Sequence, residues 1–429
     1  MNVNRIKKMV KNSTFPPFKM ALKIWAGFHH ILDKLSFTTS TPIYYFARLF
    51  PLQNKVVAST FMGRKYGDNT KFIVEELLKI DPKIEIKWVK NFNYKYQLPS
   101  NIKPISRFSF WRVAYEYATA KVWLDTHRFP SNAKKRKGQL VIETWHGGLG
   151  IKKIDGDVSK FRQLKRISKE VETTSILADI FISQSSHLSK VYRSAFDYKG
   201  KIWKIGYPKN DMLFFDNEPY QKKIKQYFNF NQDDKICVYA PTFRDDFWSK
   251  GINKDVYAIN FMNLKQALNK RFSGEWKILA RWHPLMLRYV TETKMSLGSS
   301  VIDATCYPEM QDLIMAADAF VSDYSSCIFD AAIREIPCFT FATDFEEYKL
   351  DRGVYYEMED LPFPYARNNE ELEQNILAFD EKEYKNAWSA FKLKTGLFET
   401  GHAAKDIAFL INEFMKGNKN PLEEIKGEP

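Results

Sequence analysis

Short apolar runs rich in β-branched and aromatic residues alternate with amphipathic stretches along most of this 429-residue chain. In the first half, the runs predicted as strands are residues 55–60, 84–89, 121–125, 139–143, 179–183 and 201–205. Amphipathic stretches predicted as helices lie between them, at residues 69–79, 109–120 and 158–168. Strands that alternate with helices predict βαβ units and a parallel sheet.

The second half of the chain repeats this alternation. Its predicted strands are residues 235–240, 276–281, 301–304, 319–322 and 337–341, and a polar stretch at 216–234 is the predicted linker between the halves. The last amphipathic stretch, 381–415, lacks strands and is expected to form helices that cross back to the first domain. Two doubly wound sheets leave a cleft where the carboxyl ends of their strands meet.

The chain therefore divides into four predicted segments, since its length exceeds that of a typical single domain. They are a basic amphipathic membrane-associating segment (1–54), an N-terminal Rossmann-like domain (55–215), a C-terminal Rossmann-like domain (216–385), and C-terminal helices with a tail (386–429).

The first segment is strongly basic. Residues 1–54 contain eight lysines and arginines against a single acid, Asp33. Apolar residues from Phe18 to Leu35 fall at helical spacing, with Trp25 and Phe28 among them, and lysines interrupt the run. This pattern predicts an amphipathic helix in the membrane interface rather than a spanning segment. The alternative is a helix packed on the first domain, and charge alone would also suit nucleic acid or another anionic polymer.

The most unusual segment of the first half begins at the end of a predicted strand. It contains His146, then Gly147, Gly148 and Gly150, and then Lys152. Histidine is the usual general base near neutral pH, and a glycine-rich turn exposes backbone NH groups. We expect His146 to be catalytic and Gly147, Gly148 and Lys152 to face the second substrate; the alternative is a structural histidine in a tight turn.

Complementary groups follow the predicted strands of the second half. Hydroxyl groups and free NH groups at the start of a helix bind anions, and basic side chains add positive charge, so these segments suit a diphosphate. Asp330, one turn into the predicted helix, is expected to accept hydrogen bonds from ribose hydroxyls; the alternative is a capping carboxylate. The predicted diphosphate and nucleotide site comprises Pro241, Thr242, Arg244, His283, Ser325, Ser326 and Asp330.

The sequence lacks the motifs that mark several other kinds of enzyme and metal site. The four cysteines form no CxxC pair, and the chain has no GxxxxGK[ST] loop, no GxGxxG after the first strand, no HExxH and no GxSxG. We therefore expect no zinc site, no disulfide framework, no hydride transfer and no ATP hydrolysis, in a reducing cytoplasmic setting.

In order, these segments resemble the CDP-glycerol glycerophosphotransferase family, the primases and polymerases that build the glycerol-phosphate or ribitol-phosphate chains of teichoic acids. The resemblance extends from about residue 55 to 410. The matching motifs are Trp145-His146-Gly147, Gly206-Tyr-Pro208-Lys-Asn210-Asp211, Tyr239-Ala-Pro-Thr-Phe-Arg244, Arg281-Trp-His-Pro284, Asp323-Tyr-Ser-Ser326 with Asp330, and Gly401-His-Ala-Ala404.

The resemblance implies a GT-B fold, with His146 as the base on the acceptor hydroxyl and Arg244, His283, Ser325 and Ser326 around the donor diphosphate. His283 is expected to serve catalysis as well. The family commonly continues its histidine–glycine pair with threonine and proline, whereas this chain has Gly148 and Leu149. That difference leaves the acceptor open. The chain has no large extra N-terminal domain, so a compact member is expected.

The resulting hypothesis is a transferase that moves glycerol phosphate, or ribitol phosphate, from a CDP-alditol to a lipid-linked polymer acceptor and releases CMP. Its product would be teichoic acid or a capsule. We expect it to lie peripherally on the cytoplasmic face of the membrane, on an anionic surface, with no cofactor, no metal and no nucleic acid partner.

A GT-B glycosyltransferase with a nucleotide-sugar donor is the alternative enzyme, and a non-enzymatic basic binding module is a third interpretation. The oligomeric state stays open.

Overall fold

The computed structural model describes residues 40–162, 169–244, 257–283 and 301–418, together with Glu423 and Ile425. The predicted interfacial helix between Phe18 and Leu35 lies outside the described residues. Residues 40–46 are helical, and a 3-10 turn, Ala47–Leu49, follows them. Because Tyr44 is buried in the first core, this end of the basic segment packs on the first domain.

The first half forms a parallel sheet, as predicted, but with seven strands rather than the six predicted. Its strands are β1 (Gln53–Ser59), β2 (Glu85–Lys90), β3 (Ile102–Ser106), β4 (Ala120–Asp125), β5 (Leu140–Glu143), β6 (Ile180–Ser183) and β7 (Lys201–Lys204). They run in the order β3-β2-β1-β4-β5-β6-β7, and Val57 of β1 lies opposite Trp123 of β4. The order reverses between β1 and β4, which places a crevice at their carboxyl ends.

The helices of the first half cover both faces of this sheet. They are α1 (Asp68–Ile80), α2 (Phe110–Thr119), α3 (Asp155–Phe161), α4 (Lys169–Leu177) and α5 (Ser186–Phe196), with 3-10 turns at Phe61–Gly63 and Pro208–Phe214. The helix predicted at 158–168 was wrong at its start, since α3 begins at Asp155 and ends at Phe161. Residues 163–168 lie outside the described residues.

The second half forms a six-stranded parallel sheet. Its strands are β8 (Lys235–Ala240), β9 (Trp276–Ala280), β10 (Val301–Asp303), β11 (Ala319–Ser322), β12 (Cys338–Phe341) and β13 (Tyr365–Ala366). The order is β10-β9-β8-β11-β12-β13, with Tyr239 of β8 opposite Val321 of β11. The order reverses here between β8 and β11, so both sheets have a switch point at the ends of two central strands.

The helices of the second half are α6 (Glu218–Phe228), α7 (Phe261–Phe272), α8 (Met310–Ala316), α9 (Cys327–Ile333), α10 (Phe345–Arg352) and α11 (Asn369–Leu377), with a 3-10 turn at Met358–Asp360. The stretch predicted as a linker, 216–234, contains α6, which packs against α8. Ile224 of this helix is wholly buried, and Lys225 is buried as well, with its ammonium donating to the Gln232 carbonyl.

Two helices close the fold, α12 (Glu381–Thr395) and α13 (Ala403–Lys416). The predicted return to the first domain is confirmed, because α13 packs against α1. The Asp211 carboxylate accepts hydrogen bonds from the backbone NH groups of Ala403 and Ala404, at 2.9 and 2.7 Å, and so caps α13. The boundaries predicted at 54/55 and 385/386 fall inside β1 and α12, so neither point separates two structural units.

Candidate active site

His146 lies just beyond β5, and its imidazole has a fixed orientation. Its Nδ1 is 2.9 Å from the carbonyl oxygen of Thr126, which follows β4. A carbonyl can only accept, so Nδ1 carries the proton and Nε2 of the neutral ring presents a lone pair. Burial lowers the pKa of His146, against the opposing influence of Asp68 and of the Thr126 carbonyl. The ring is therefore neutral at neutral pH, as a general base requires.

Two buried carboxyl groups fix the backbone turns that contain Thr126 and His146. Asp125 accepts hydrogen bonds from the backbone NH groups of Thr126 and His127, at 2.7 and 2.9 Å. Glu143 accepts from the NH of Trp145 at 2.9 Å. Burial raises the pKa of Asp125 to about 7, although the NH groups lower it, and burial also raises the pKa of Glu143. Both side chains act on His146 through the backbone.

Backbone strain is concentrated around His146. Non-glycine residues with positive φ cost free energy and cluster at functional sites. Five of them belong to the turns of this region: Phe61 (48°), Met62 (56°), Asp68 (60°), Trp145 (53°) and Asp155 (38°). The Phe61 ring lies edge-on to His146, with centroids 4.9 Å apart.

The glycine loop after His146 packs tightly against its neighbours. A Cβ added to Gly148 would lie 2.7 Å from the side-chain amide of Gln184, so only glycine fits without displacing that buried side chain. A Cβ on Gly147 would lie 3.9 Å from Ser326 Oγ, which places this loop directly opposite the second domain. Lys152 forms an antiparallel bridge with Val354. The loop thus lies between the two domains.

Ser325 and Ser326 occupy the turn between β11 and α9. Both are half-buried, and their carbonyl groups accept hydrogen bonds from the first NH groups of α9. The Cys327 thiol donates to Ser325 Oγ at 3.0 Å. The predicted serine pair therefore lies at the strand end that faces His146 and Gly147.

Arg244 pairs with carboxylates at the start of this turn and beyond β12. Its guanidinium donates to Asp323 at 2.7 Å, to Asp344 at 2.7 and 2.9 Å, and to the Thr242 carbonyl at 2.7 Å. Four of its five N–H donors are thus used within the protein, and the side chain is buried. Arg244 thus joins the ends of β8 and β11, and its predicted role at the donor diphosphate stays a prediction.

Pro241 and Thr242 are part of the same structure. Both are buried, and the Thr242 NH donates to Asp323 at 2.8 Å. Within the described chain, Thr242 Oγ1 is buried and has no hydrogen-bond partner. Thr242 Oγ1 is thus a polar atom of the predicted nucleotide site that is available to a ligand.

Asp330 also has several polar partners within the protein. Its carboxylate is buried and lies 3.1 Å from Lys209 Nζ, 3.1 Å from Asn210 Nδ2 and 3.3 Å from Gln311 Nε2. Lys209 Nζ in turn donates to the His146 carbonyl at 3.1 Å. These partners join the second domain to the segment that supports His146, and the ribose contact predicted for Asp330 stays a prediction.

His283 is exposed at the end of β9, and its ring packs beside Phe243 with centroids 5.4 Å apart. The neighbouring Arg281 donates to the carbonyl groups of Ala304 and Tyr307, at 3.2 and 2.6 Å. Residues 284–300 lie outside the described residues. The catalytic and diphosphate roles of His283 stay predictions.

The motifs and this geometry agree with a family comparison. The family model described as CDP-glycerol:poly(glycerophosphate) glycerophosphotransferase matches residues 43–413. The chain belongs to this family. The predicted resemblance is thereby confirmed.

Three known proteins illustrate the similarity. A teichoic acid poly(glycerol phosphate) polymerase of Staphylococcus epidermidis is 29% identical over 376 residues, which cover 84% of this chain and 51% of that protein. A teichoic acid glycerol-phosphate transferase of Staphylococcus aureus is 28% identical over 421 residues, or 95% of this chain and 99% of that protein. The chain thus spans about half the polymerase and nearly all of the transferase.

A solved structure of the wall teichoic acid polymerase TagF, soaked with CDPG, aligns with a TM-score of 0.77 and 25% identity. The alignment covers 97% of this chain and 99% of that one. It confirms the predicted GT-B class of two Rossmann-like domains facing a cleft.

Sequence reasoning missed three residues of this candidate site. Lys209 and Asn210 lie inside a family motif, and their position there was the available signal. Glu399 accepts from Asn210 Nδ2 and the Tyr207 NH at 2.9 and 2.8 Å, and burial raises its pKa to about 8. No local pattern marks Glu399, because its partners lie about 190 residues away. Across the described ranges, no group of three His, Cys, Asp or Glu side chains could hold a metal ion.

Proposed function

We propose that the protein transfers glycerol phosphate, or a related alditol phosphate such as ribitol phosphate, from a CDP-alditol to a hydroxyl of a lipid-linked polymer, and releases CMP. One observation carries the proposal. His146, with its proton on Nδ1 and its lone pair on Nε2, adjoins Gly147, which faces the Ser325–Ser326 turn of the other domain.

In the proposed step, Nε2 of His146 takes the proton of the acceptor hydroxyl. The hydroxyl oxygen then bonds to the phosphorus that carries the alditol. The bond from that phosphorus to the bridging oxygen breaks, and CMP leaves with that oxygen and its electron pair. The imidazolium later gives its proton to solvent. General-base catalysis of this kind contributes about 10²- to 10⁴-fold to a rate.

The donor side of the proposal rests on the second domain. The hydroxyl groups of Ser325 and Ser326 would hold phosphate oxygens, and the predicted His283 would add a donor or positive charge. Arg244 would act indirectly, because it fixes Asp323 at the start of the serine turn. We propose that these groups meet the charge on the departing CMP without a metal or other cofactor.

The acceptor is lipid-linked in this proposal, and a surface of the first domain suits an anionic membrane at the cytoplasmic face. Tyr45, Phe46, Leu49 and Phe50 are 52%, 63%, 78% and 41% exposed. Arg136 donates to the Phe50 carbonyl at 2.9 Å, which brings a basic segment beside these apolar side chains. Aromatic side chains flanked by basic ones bind lipid interfaces. In the described parts of the chain, no helix has the length and apolar character needed to cross a bilayer.

Vesicle sedimentation tests this surface. We expect the Phe46→Ser/Leu49→Ser double variant to lose binding to vesicles that contain phosphatidylglycerol, while Leu393→Ser binds as the parent protein does. Leu393 is 85% exposed and lies on α12, so it is a matched control. Equal binding by all three proteins would contradict the membrane assignment.

A donor screen tests the transfer itself. The protein is incubated with CDP-glycerol, CDP-ribitol, UDP-sugars or GDP-sugars and a lipid-linked acceptor, and nucleotide release and product length are measured. CMP release from one of the CDP-alditols is the expected result. Release of UDP or GDP alone would instead support the glycosyltransferase alternative. Product length distinguishes a single transfer from polymerisation.

A further inference from the structure

Three basic side chains, those of Arg64, His127 and Arg128, belong to the turns near His146. The rings of His127 and His146 have centroids 5.5 Å apart. Arg128 follows His127 in the chain, and Arg64 lies three residues after Phe61, whose ring centroid is 6.2 Å from that of His127. Burial lowers the pKa of His127, so the positive charge of this cluster comes from the two arginines.

Several polar atoms of this cluster are buried but not satisfied. Arg64 Nε, His127 Nδ1 and Arg128 Nε have no hydrogen-bond partner among residues that the structure describes, and neither does the hydroxyl of the wholly buried Thr126. Buried donors without acceptors are rare in native proteins because each costs free energy. An anion with several oxygens would satisfy such a group of donors.

The acidic residues nearby form ion pairs with only some of the basic side chains in this region. Arg128 pairs with Asp155, and Lys65 pairs with Glu309 at 3.4 Å. Within the described ranges, Arg64 has no ion pair with a carboxylate, and its guanidinium lies 5.9 Å from the centre of the Tyr94 ring. A planar guanidinium is well suited to phosphate oxygens.

We propose that Arg64, His127 and Arg128 form a subsite for a phosphate group of the acceptor, next to the hydroxyl that His146 deprotonates. This inference rests on the proposed function. In an extended glycerol phosphate, the terminal hydroxyl oxygen lies roughly 6 Å from the phosphorus at ordinary bond lengths. A group of that span contacts both histidine rings, whose centroids are 5.5 Å apart. The subsite therefore selects acceptors whose last unit carries a phosphate.

Two soluble acceptors test the subsite, one ending in glycerol phosphate and one ending in a neutral glycerol ether. For Arg64→Gln, we expect the KM for the phosphorylated acceptor to rise at least tenfold with kcat little changed. The KM for the neutral acceptor and the affinity for CDP-glycerol should stay the same. Arg128→Gln should act similarly, and its melting temperature shows whether loss of the Asp155 pair has disturbed the fold.

Arg367→Gln is the control, because Arg367 is exposed on the second domain and pairs with Glu359. Equal losses on both acceptors, or no change in Arg64→Gln, would overturn the subsite. Direct binding of glycerol phosphate, followed by calorimetry, separates the two proposals. If the parent protein releases no CMP from any donor, the proposed function fails, yet glycerol phosphate binding that Arg64→Gln abolishes would still support the subsite. Absence of binding in both proteins would overturn it.

Discussion

At the residue scale, the account depends on the two nitrogens of one imidazole. The Thr126 carbonyl fixes the proton on Nδ1 of His146, and burial keeps the ring neutral. Sequence alone could single out His146, because a histidine directly after a strand and before three glycines is unusual. It could not supply Thr126 as the partner, since that contact joins the ends of two different strands.

The pH dependence of kcat tests this state of His146. A base must be deprotonated, so the rate should rise with pH along a limb governed by the pKa of His146. Because burial lowers that pKa, the midpoint of the limb should lie below the ordinary histidine value of about 6.5. A midpoint clearly above that value would contradict a lowered pKa of His146.

Gly148 offers a second test at this scale. A methyl group there would press on the Gln184 amide at 2.7 Å, whereas one on Gly150 would meet its nearest atom at 3.7 Å. We expect Gly148→Ala to lower kcat/KM for the acceptor about tenfold or more, since misplaced loops reduce rates strongly. Gly150→Ala in the same loop should behave like the parent. Similar rates in both variants would show that the loop tolerates the displacement.

At the element scale, strands with a continuous apolar pattern were predictable and the others were not. The prediction for β8 and β11 matches the structure at both ends, because both are buried runs bounded by polar residues. β3 was missed, since Pro104 interrupts it and only Ile102 and Ile105 are buried. The two-residue β13 gives no periodicity at all.

The partners of Arg244 and Asp330 could not be predicted for a related reason. Each is at a strand end or helix start, as predicted, but its partners lie far along the chain. Arg244 pairs with Asp344, 100 residues away, and Asp330 contacts Asn210, 120 residues away. Spacing along a sequence cannot show that such a charge is already neutralised.

Removing the guanidinium should therefore reduce stability rather than donor contacts. Arg244→Gln leaves Asp323 and Asp344 buried without their cation, and breaking a buried pair costs about 3–5 kcal/mol. Urea denaturation should show this loss. The exposed Arg367→Gln should change stability by no more than about 0.5 kcal/mol. A stable Arg244→Gln protein that no longer binds CDP-glycerol would instead indicate direct contact with the donor.

At the scale of the whole molecule, the two domains are joined through buried polar contacts beside the cleft. Lys209 connects the His146 carbonyl to Asp330, and Asn210 connects Asp330 to Glu399. Because α13 also returns to α1, the domains do not separate at a simple linker. The sequence indicated the two sheets and the cleft, but only the folded chain shows this network.

The pH dependence of stability tests the network. Burial raises the pKa of Glu399 to about 8, so the folded protein holds a proton that the unfolded chain has lost above about pH 4.3. Stability should therefore fall as pH rises from about 4.3 to about 8, and this contribution should level off above that. In Glu399→Gln, the fall in melting temperature between pH 6 and 8 should be smaller. An unchanged slope would show that Glu399 is ionised in the folded protein.

One experiment tests the separate roles of the two domains, with His146 as the base and the serine turn as the donor site. CDP-glycerol affinity and CMP release are measured together for the parent protein, His146→Ala and the Ser325→Ala/Ser326→Ala double variant. The account predicts that His146→Ala binds the donor normally but releases CMP at least about 100-fold more slowly, and that the serine variant loses donor affinity. Normal CMP release by a folded His146→Ala protein would contradict the assignment of His146 as the base.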